Sequence, residues 1–284
     1  MPELPEVETV RRGLEQRTTG MVVERVEVLR ERTIAAPDDP KDFERALAGS
    51  RILAWSRRGK YLLASLASGD TEKEAGTWGV HLRMTGQFLL ITEPQGACCR
   101  HTRVRIWGRG GEELRFIDMR CFGQMWWIPP GEAAESRMNG LKRLGPEPFD
   151  PAFNADHLLQ SLSGSRRPIK SALLDQTLVA GVGNIYADES LFAAGIRPQT
   201  PSNRLAREDL ERLRGALVAV LEASIGAGGT TFSDFRDLSG VNGNYGGVAM
   251  VYRRSGQPCH RCGSTILRER IGGRSSHWCP HCQH

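Results

Sequence analysis

The amino-acid sequence predicts an α+β protein of more than one domain. One helix leads, a run of short strands follows, then helices, then a small cysteine-bearing module. Three observations carry this. Residues 21–128 divide into seven apolar stretches of strand length. Beyond residue 151 the apolar residues change to spacings of three and four. Four of the seven cysteines fall in the last 26 residues. A length of 284 residues suits about two domains and an appendage.

The opening reads as a helix. Pro2 and Pro5 suit a first turn, and Glu3, Glu6 and Glu8 favour the positive end of a helix dipole. Val7, Val10 and Leu14 make one apolar face, and Gly20 is a stop. Strands are predicted over 22–29, 51–56, 60–67, 79–91, 102–107, 113–118 and 123–128. Several short strands in a row suggest a sandwich or a barrel, not a doubly wound parallel sheet. Composition shifts at Pro129-Pro130-Gly131, and the stretch to Pro151 reads as a linker. Helices are predicted over 155–163, 168–179 and 203–225. In the last of these Leu210, Leu213, Leu217, Leu221 and Ile225 share a face, with Asn203 as cap and Gly226 as stop. Residues 226–247 hold seven glycines, which fits either a functional loop or an ordinary connector.

Apolar residues at 39% and charged residues at 25% exclude a disordered chain or a fibre. No window nears the roughly 20 apolar residues of a membrane span. The start, MPELPEVETV, has three glutamates and no apolar core, unlike a signal peptide. A cytoplasmic location with reduced thiols is the expectation.

The net charge of +5 is unevenly placed. Residues 246–284 carry Arg253, Arg254, Arg261, Arg268, Arg270 and Arg274 against Glu269, so the rest of the chain is neutral. A basic tail suits a polyanion such as nucleic acid, or is a plain solvated surface. Cys98, Cys99 and Cys121 are scattered and read as plain thiols. Cys259-x2-Cys262 and Cys279-x2-Cys282 are different: sixteen residues separate the pairs, enough for a hairpin that returns one pair to the other. Two disulfides or four free thiols are the alternatives. Reduced thiols at this spacing favour one structural Zn2+, with no position left open for substrate.

Pro2 follows the initiator Met1. Removal of Met1 would expose a secondary amine, and ordinary α-amines have a pKa of about 8. Such an amine attacks an aldehyde-level carbon to give an iminium, an electron sink. Glu3 and Glu6 lie within one turn and can move protons. Position alone favours an unremarkable proline at a helix start.

Longer motifs decide between these readings. Pro2-Glu3-Leu4-Pro5-Glu6-Val7-Glu8-Thr9-Val10-Arg11-Arg12-Gly13-Leu14 resembles the opening of bacterial formamidopyrimidine-DNA glycosylases. Arg57-Arg58-Gly59-Lys60-Tyr61-Leu62 resembles that family's lysine strand, and His81-Leu82-Arg83-Met84-Thr85-Gly86 its methionine loop. Asp118-Met119-Arg120-Cys121-Phe122-Gly123 resembles its arginine–phenylalanine loop, where many relatives have Pro-Arg-Arg-Phe. Leu144-Gly145-Pro146-Glu147-Pro148 is similar to its interdomain segment. Gly181-Val182-Gly183-Asn184-Ile185-Tyr186-Ala187 is similar to its helix–two-turns–helix motif. The likeness runs the full length.

The resemblance implies an N-terminal β-sandwich with a leading helix, then a C-terminal helix–two-turns–helix domain and a β-hairpin zinc finger. The implied divisions are a catalytic domain over 1–130, a linker over 131–150, a helical domain with a lesion lid over 151–247, and the zinc finger over 248–284. It implies a monomer acting on double-stranded DNA that holds oxidised purines or abasic sites, in the cytoplasm at the nucleoid. By similarity Pro2 is the nucleophile and Glu3 the acid, with Glu6 a weaker candidate. Lys60 joins the catalytic residues by contacting phosphate and the damaged site, and His81, Asn184 and Arg274 grip phosphates. Met84, Arg120 and Phe122 fill the space of the extruded base, although composition alone would place Met84 and Phe122 in the core. Thr230, Thr231 and Tyr245 are weak lid candidates. A relative specialised for oxidised pyrimidines and a non-catalytic damage binder are the alternatives. Leu4 favours the purine branch, and the pairing of Pro2 with Glu3 favours catalysis.

Overall fold

A computed structural model describes residues 1–71, 73–92, 99–229 and 247–284. Cys98, Thr230, Thr231 and Tyr245 lie outside the described residues. The chain forms two compact units, one built on Met1–Lys142 and the other on Arg143–Ala227 with the C-terminal segment.

The first unit begins with α1 (Leu4–Thr18), β1 (Val23–Val28), β2 (Ile34–Ala36) and α2 (Pro40–Leu47). Strands β3 (Ser50–Arg58), β4 (Tyr61–Ser68), β5 (Glu74–His81) and β6 (Gly86–Ile91) follow, then β7 (Thr102–Gly108), β8 (Glu113–Asp118) and β9 (Gln124–Ile128). They form a five-stranded sheet, β2-β9-β5-β4-β3, and a four-stranded sheet, β1-β7-β8-β6. All pairings are antiparallel except β2 with β9. Alternation explains the layering: on β7, Val104 and Ile106 point inward while Arg103, Arg105 and Trp107 do not. Both sheets contribute to one core with Trp55, Trp78, Phe88 and Phe116, whose rings meet at 5.2–6.5 Å. This is the expected sandwich.

Helix α1 is bound to β3 by polar contacts as well as by Val7, Val10 and Leu14. The Trp55 indole N–H donates to Thr18 Oγ1 at 2.9 Å. Glu8 accepts from Arg11 and Arg12 on its own helix and from Arg57 Nε at 3.2 Å on β3. Burial alone would raise its pKa, but these guanidiniums hold it below the ordinary carboxylate value. The position of the chain's first residues is thereby fixed against the sheet.

The run 79–91, expected as one strand, is two. Residues 82–85 form a turn with Arg83 at φ 54°, and the halves enter different sheets. A continuous apolar run carries no mark of a change of sheet. Helix α2 is an addition to the expected set, started by Asp39 accepting the Lys41 N–H at 2.8 Å. Residues 131–150 are not bare linker. They hold α3 (Ala134–Arg137) and α4 (Asn139–Lys142), with Met138 and Leu141 buried.

The second unit holds α5 (Ala155–Leu162), α6 (Ile169–Leu173), α7 (Asn184–Ala194) and α8 (Arg207–Gly226), then the hairpin β10 (Leu267–Ile271) and β11 (Arg274–Trp278). Helix α6 is shorter than the predicted 168–179, because Asp175 turns the chain by accepting from the Thr177 N–H and hydroxyl. Helix α8 starts later than Asn203. Asp209 captures the Ala206 N–H at 3.0 Å, while Asn203 sits in a separate 3-10 turn, and Gly226 is the last helical residue. No helix among the described residues is long and apolar enough to cross a membrane.

One buried ion pair ties this unit together. Lys170 Nζ lies 2.7 Å from Asp188 Oδ1, and both side chains are fully buried. Asp188 also accepts from the Ser276 hydroxyl at 2.9 Å and the His277 N–H at 2.9 Å. The pair thus joins α6, α7 and β11. Breaking such a pair strands a buried charge. Lys170→Met should cost the second unit about 3–5 kcal/mol in urea unfolding, whereas Lys170→Met with Asp188→Leu should recover much of that loss. An unchanged single variant would refute the role.

Candidate active site

The N-terminus sits at the head of α1. Pro2 is buried and Glu3 is 2% exposed. The Glu3 N–H donates to Glu6 Oε2 at 2.8 Å, so Glu6, also buried, fixes the backbone that carries both residues. Met1 is the exposed residue before them. It lines a recess of about 430 Å³ with Arg32, Arg83, Met84, Cys121, Phe122, Gly123 and Gln124.

Two loops bound this recess. One is the β5–β6 turn that carries Met84, and the other is the β8–β9 turn that carries Arg120 and Phe122. Met84 is 36% and Phe122 40% exposed, so neither is a core residue. Each follows a left-handed residue that is not glycine: Arg83 at φ 54° and Cys121 at φ 55°. Buried Asp118 joins the loops. Its Oδ1 accepts from the Thr85 hydroxyl and from the Arg120 N–H, and its Oδ2 accepts the Gly123 N–H at 2.7 Å. Its backbone oxygen accepts from Arg103 Nε at 2.7 Å. Gly86 and Gly123 press on the same Phe116 ring, where an added Cβ would come within 2.8 and 2.6 Å of Cζ. In the sequence the role of Asp118 is marked only by its place two to five residues ahead of the backbone N–H groups that it caps.

Lys60 is buried in the tight β3–β4 turn, beside Gly59 at φ 56°. His81 pairs across the strands with Tyr61, and the two rings meet edge-on at 4.5 Å. Its Nδ1 accepts the Arg83 N–H at 2.9 Å. Burial first, then the charges of Arg83 and Lys60, push its pKa down to about 3. His81 is therefore a neutral donor through Nε2, not the cation that a phosphate grip suggests.

In the second unit Asn184 opens α7, and its amide donates to the Ser275 carbonyl at 3.0 Å. Lys170 donates to the same oxygen at 2.7 Å. The neighbouring Arg274 is exposed on β11. Glu189 accepts the N–H groups of Met250, Val251 and Tyr252, which ties the approach to the cysteine module onto α7. The sulfur atoms of Cys259, Cys262, Cys279 and Cys282 all lie within 4.8 Å of one another. The separations of 3.9 and 3.4 Å bracket the edge of about 3.8 Å in a tetrahedron with Zn–S bonds of about 2.3 Å. These four thiolates hold one structural Zn2+.

Residues 1–125 match the formamidopyrimidine-DNA glycosylase N-terminal domain, and 144–236 its H2TH domain. Residues 256–284 match a zinc finger found in FPG and IleRS. The chain belongs to the formamidopyrimidine-DNA glycosylase family. It is a DNA glycosylase of base excision repair. The formamidopyrimidine-DNA glycosylase of Parasynechococcus marenigrum (strain WH8102) is 62% identical over 283 residues, covering 100% of both chains. A Lactococcus lactis Fpg solved with abasic-site DNA has a TM-score of 0.88 at 34% identity, covering 99% of both chains. The same enzyme with Fapy-dG DNA has a TM-score of 0.87 at 34% identity, covering 99% of this chain and 100% of that one.

Two outcomes test the site. Asp118→Ala should release both loops at once, costing about 1–3 kcal/mol in stability for the stranded donors and weakening DNA binding. Stability and binding both at the wild-type level would refute its organising role. Cys279→Ser should lose zinc and DNA affinity together, read by elemental analysis and a binding isotherm. Full metal content in that variant would overturn the four-thiolate assignment.

Proposed function

We propose that this glycosylase excises oxidised purines, 8-oxoguanine and formamidopyrimidines, and then cleaves the abasic strand through an iminium on Pro2. Once Met1 is removed, the Pro2 nitrogen attacks C1′ of the damaged nucleotide; the base leaves with the electron pair of its bond to C1′ and takes up the proton that the Pro2 amine gives up. Glu3 gives a proton to the ring oxygen as the sugar opens. The resulting iminium acidifies C2′, whose proton leaves as the 3′ phosphate is expelled. A second elimination expels the 5′ phosphate. One electron sink serves both eliminations.

The observation that carries this reading is the buried Pro2-Glu3 pair, held by Glu6 at the head of α1. A binding module has no use for an acid locked beside a potential secondary amine. Supporting it, Met1 lines the same recess as Met84 and Phe122. Met84, Arg120 and Phe122 would enter the duplex where the base has left, because chemistry at C1′ requires extrusion. Lys60, Asn184, Arg274 and neutral His81 would bind phosphates, which position the DNA and carry little sequence information. We assign catalysis to residues 1–130 and DNA gripping to the helical region 151–247 and the finger 248–284. The Fapy-dG complex of the L. lactis relative supports the purine assignment.

Borohydride reduction on a duplex with 8-oxoguanine opposite cytosine should trap a covalent adduct on Pro2, located by mass spectrometry. Pro2→Gly should bind damaged DNA while losing at least a hundredfold in strand cleavage, as for loss of an activated nucleophile, on the order of 3 kcal/mol. An adduct on Lys60 would replace the nucleophile. An adduct formed only with an oxidised pyrimidine would overturn the lesion class.

A further inference from the structure

We infer that Arg32 is an additional DNA-binding residue, one that places a cation on a backbone phosphate beside the Phe122 tip. This rests on the reading of Met84 and Phe122 as the apolar tips that enter DNA.

The sheet register sets the position of Arg32. Strand β2 pairs in parallel with β9, and Ile34 stands opposite Met125. Parallel pairing puts the residues that precede each strand at the same edge. Arg32 is two residues before Ile34, and Phe122 is three before Met125. Arg32 belongs to a 3-10 turn, Glu31–Thr33, pinned by the buried Thr33 and its N–H to the Arg30 carbonyl at 3.0 Å. Its guanidinium carbon lies 6.0 Å from the centre of the Phe122 ring.

Charge and position together single out Arg32. The 118–123 loop supplies one cation, Arg120, whose guanidinium carbon is 4.9 Å from the same ring. Arg83 is tethered to Gln124 Oε1 at 2.8 Å. Among the described residues neither Arg32 nor Arg120 has an acidic side-chain partner, whereas Arg11, Arg57, Arg105 and Arg115 are all committed to glutamates. Two unneutralised guanidiniums therefore pack on one exposed aromatic tip. A tip that enters a groove brings its flanks to the sugar–phosphate walls. A cation there displaces counterions, and its signature is the salt dependence of binding.

The test uses zinc-loaded protein lacking Met1 and a duplex with a tetrahydrofuran abasic-site analogue, titrated between 50 and 200 mM salt. Arg32→Ala should make the slope of log K against log salt shallower by about 0.9. Wild type then loses about 3.5-fold more affinity than the variant across that range. Arg32→Lys should keep the slope, and Cys121→Arg should restore it in the Arg32→Ala background. An unchanged slope and affinity in Arg32→Ala, with binding weakened by Phe122→Ala, would overturn the inference and leave the tip reading intact. A change in opposite-base preference without a change in slope would mean base reading, which also overturns it. If neither Phe122→Ala nor Met84→Ala weakens binding, the tip reading fails and takes the inference with it.

Discussion

The carboxylate of Asp118 is the contact on which the proposed DNA-entering surface depends. It is buried, and its oxygens are divided between two loops that reach it from different sheets. A single anion with several donors is a low-entropy way to fix two turns, because each donor is a short backbone or hydroxyl group already close in space. Left-handed residues at 83 and 121 complete the arrangement. Neither glycine nor a β-branched residue occupies these positions, and the carboxylate network holds the conformation that the side chains disfavour.

The same economy recurs elsewhere. Glu6 fixes the backbone of Glu3, Glu8 fastens α1 to β3, Asp188 gathers Lys170 and the finger hairpin, and Glu189 gathers three successive N–H groups. Desolvation pushes the Glu189 carboxyl up despite its three donors, and adjacent Asp188 adds to the push. Buried carboxylates of this kind contribute little net stability, but they specify one arrangement where an apolar contact would allow several. The proposed chemistry needs that specificity, since both the nucleophile and the tips must be held before DNA arrives.

Much of this was legible in the sequence. The seven apolar stretches touched all but the short β2 of the nine sandwich strands, although one ran from the last three residues of β5 through β6, and the cysteine spacing located the zinc site. What escaped did so for physical reasons. Helix α7 is buried nearly all round, so it shows no polar face and no 3.6-residue signature. The split between β5 and β6 depends on Gly86 packing against Phe116, a contact 30 residues away. His81 is read from the sequence as a phosphate contact, and only its burial, followed by the charges of Arg83 and Lys60, makes it neutral. Composition placed Met84 and Phe122 inside. Their exposure follows from turns that composition does not describe.

The shared floor beneath the two loops also constrains how this surface can evolve. Gly86, Thr85, Asp118 and Gly123 meet around one ring and one carboxylate, so none can drift alone without disturbing the others. Residues 84, 120, 121 and 122 project from that floor and are freer to vary. Sequence change in this lineage should therefore be inherited in two modes. The floor is retained or replaced as a block, while the tips are sampled one at a time, so that this surface can diverge without rebuilding the sandwich.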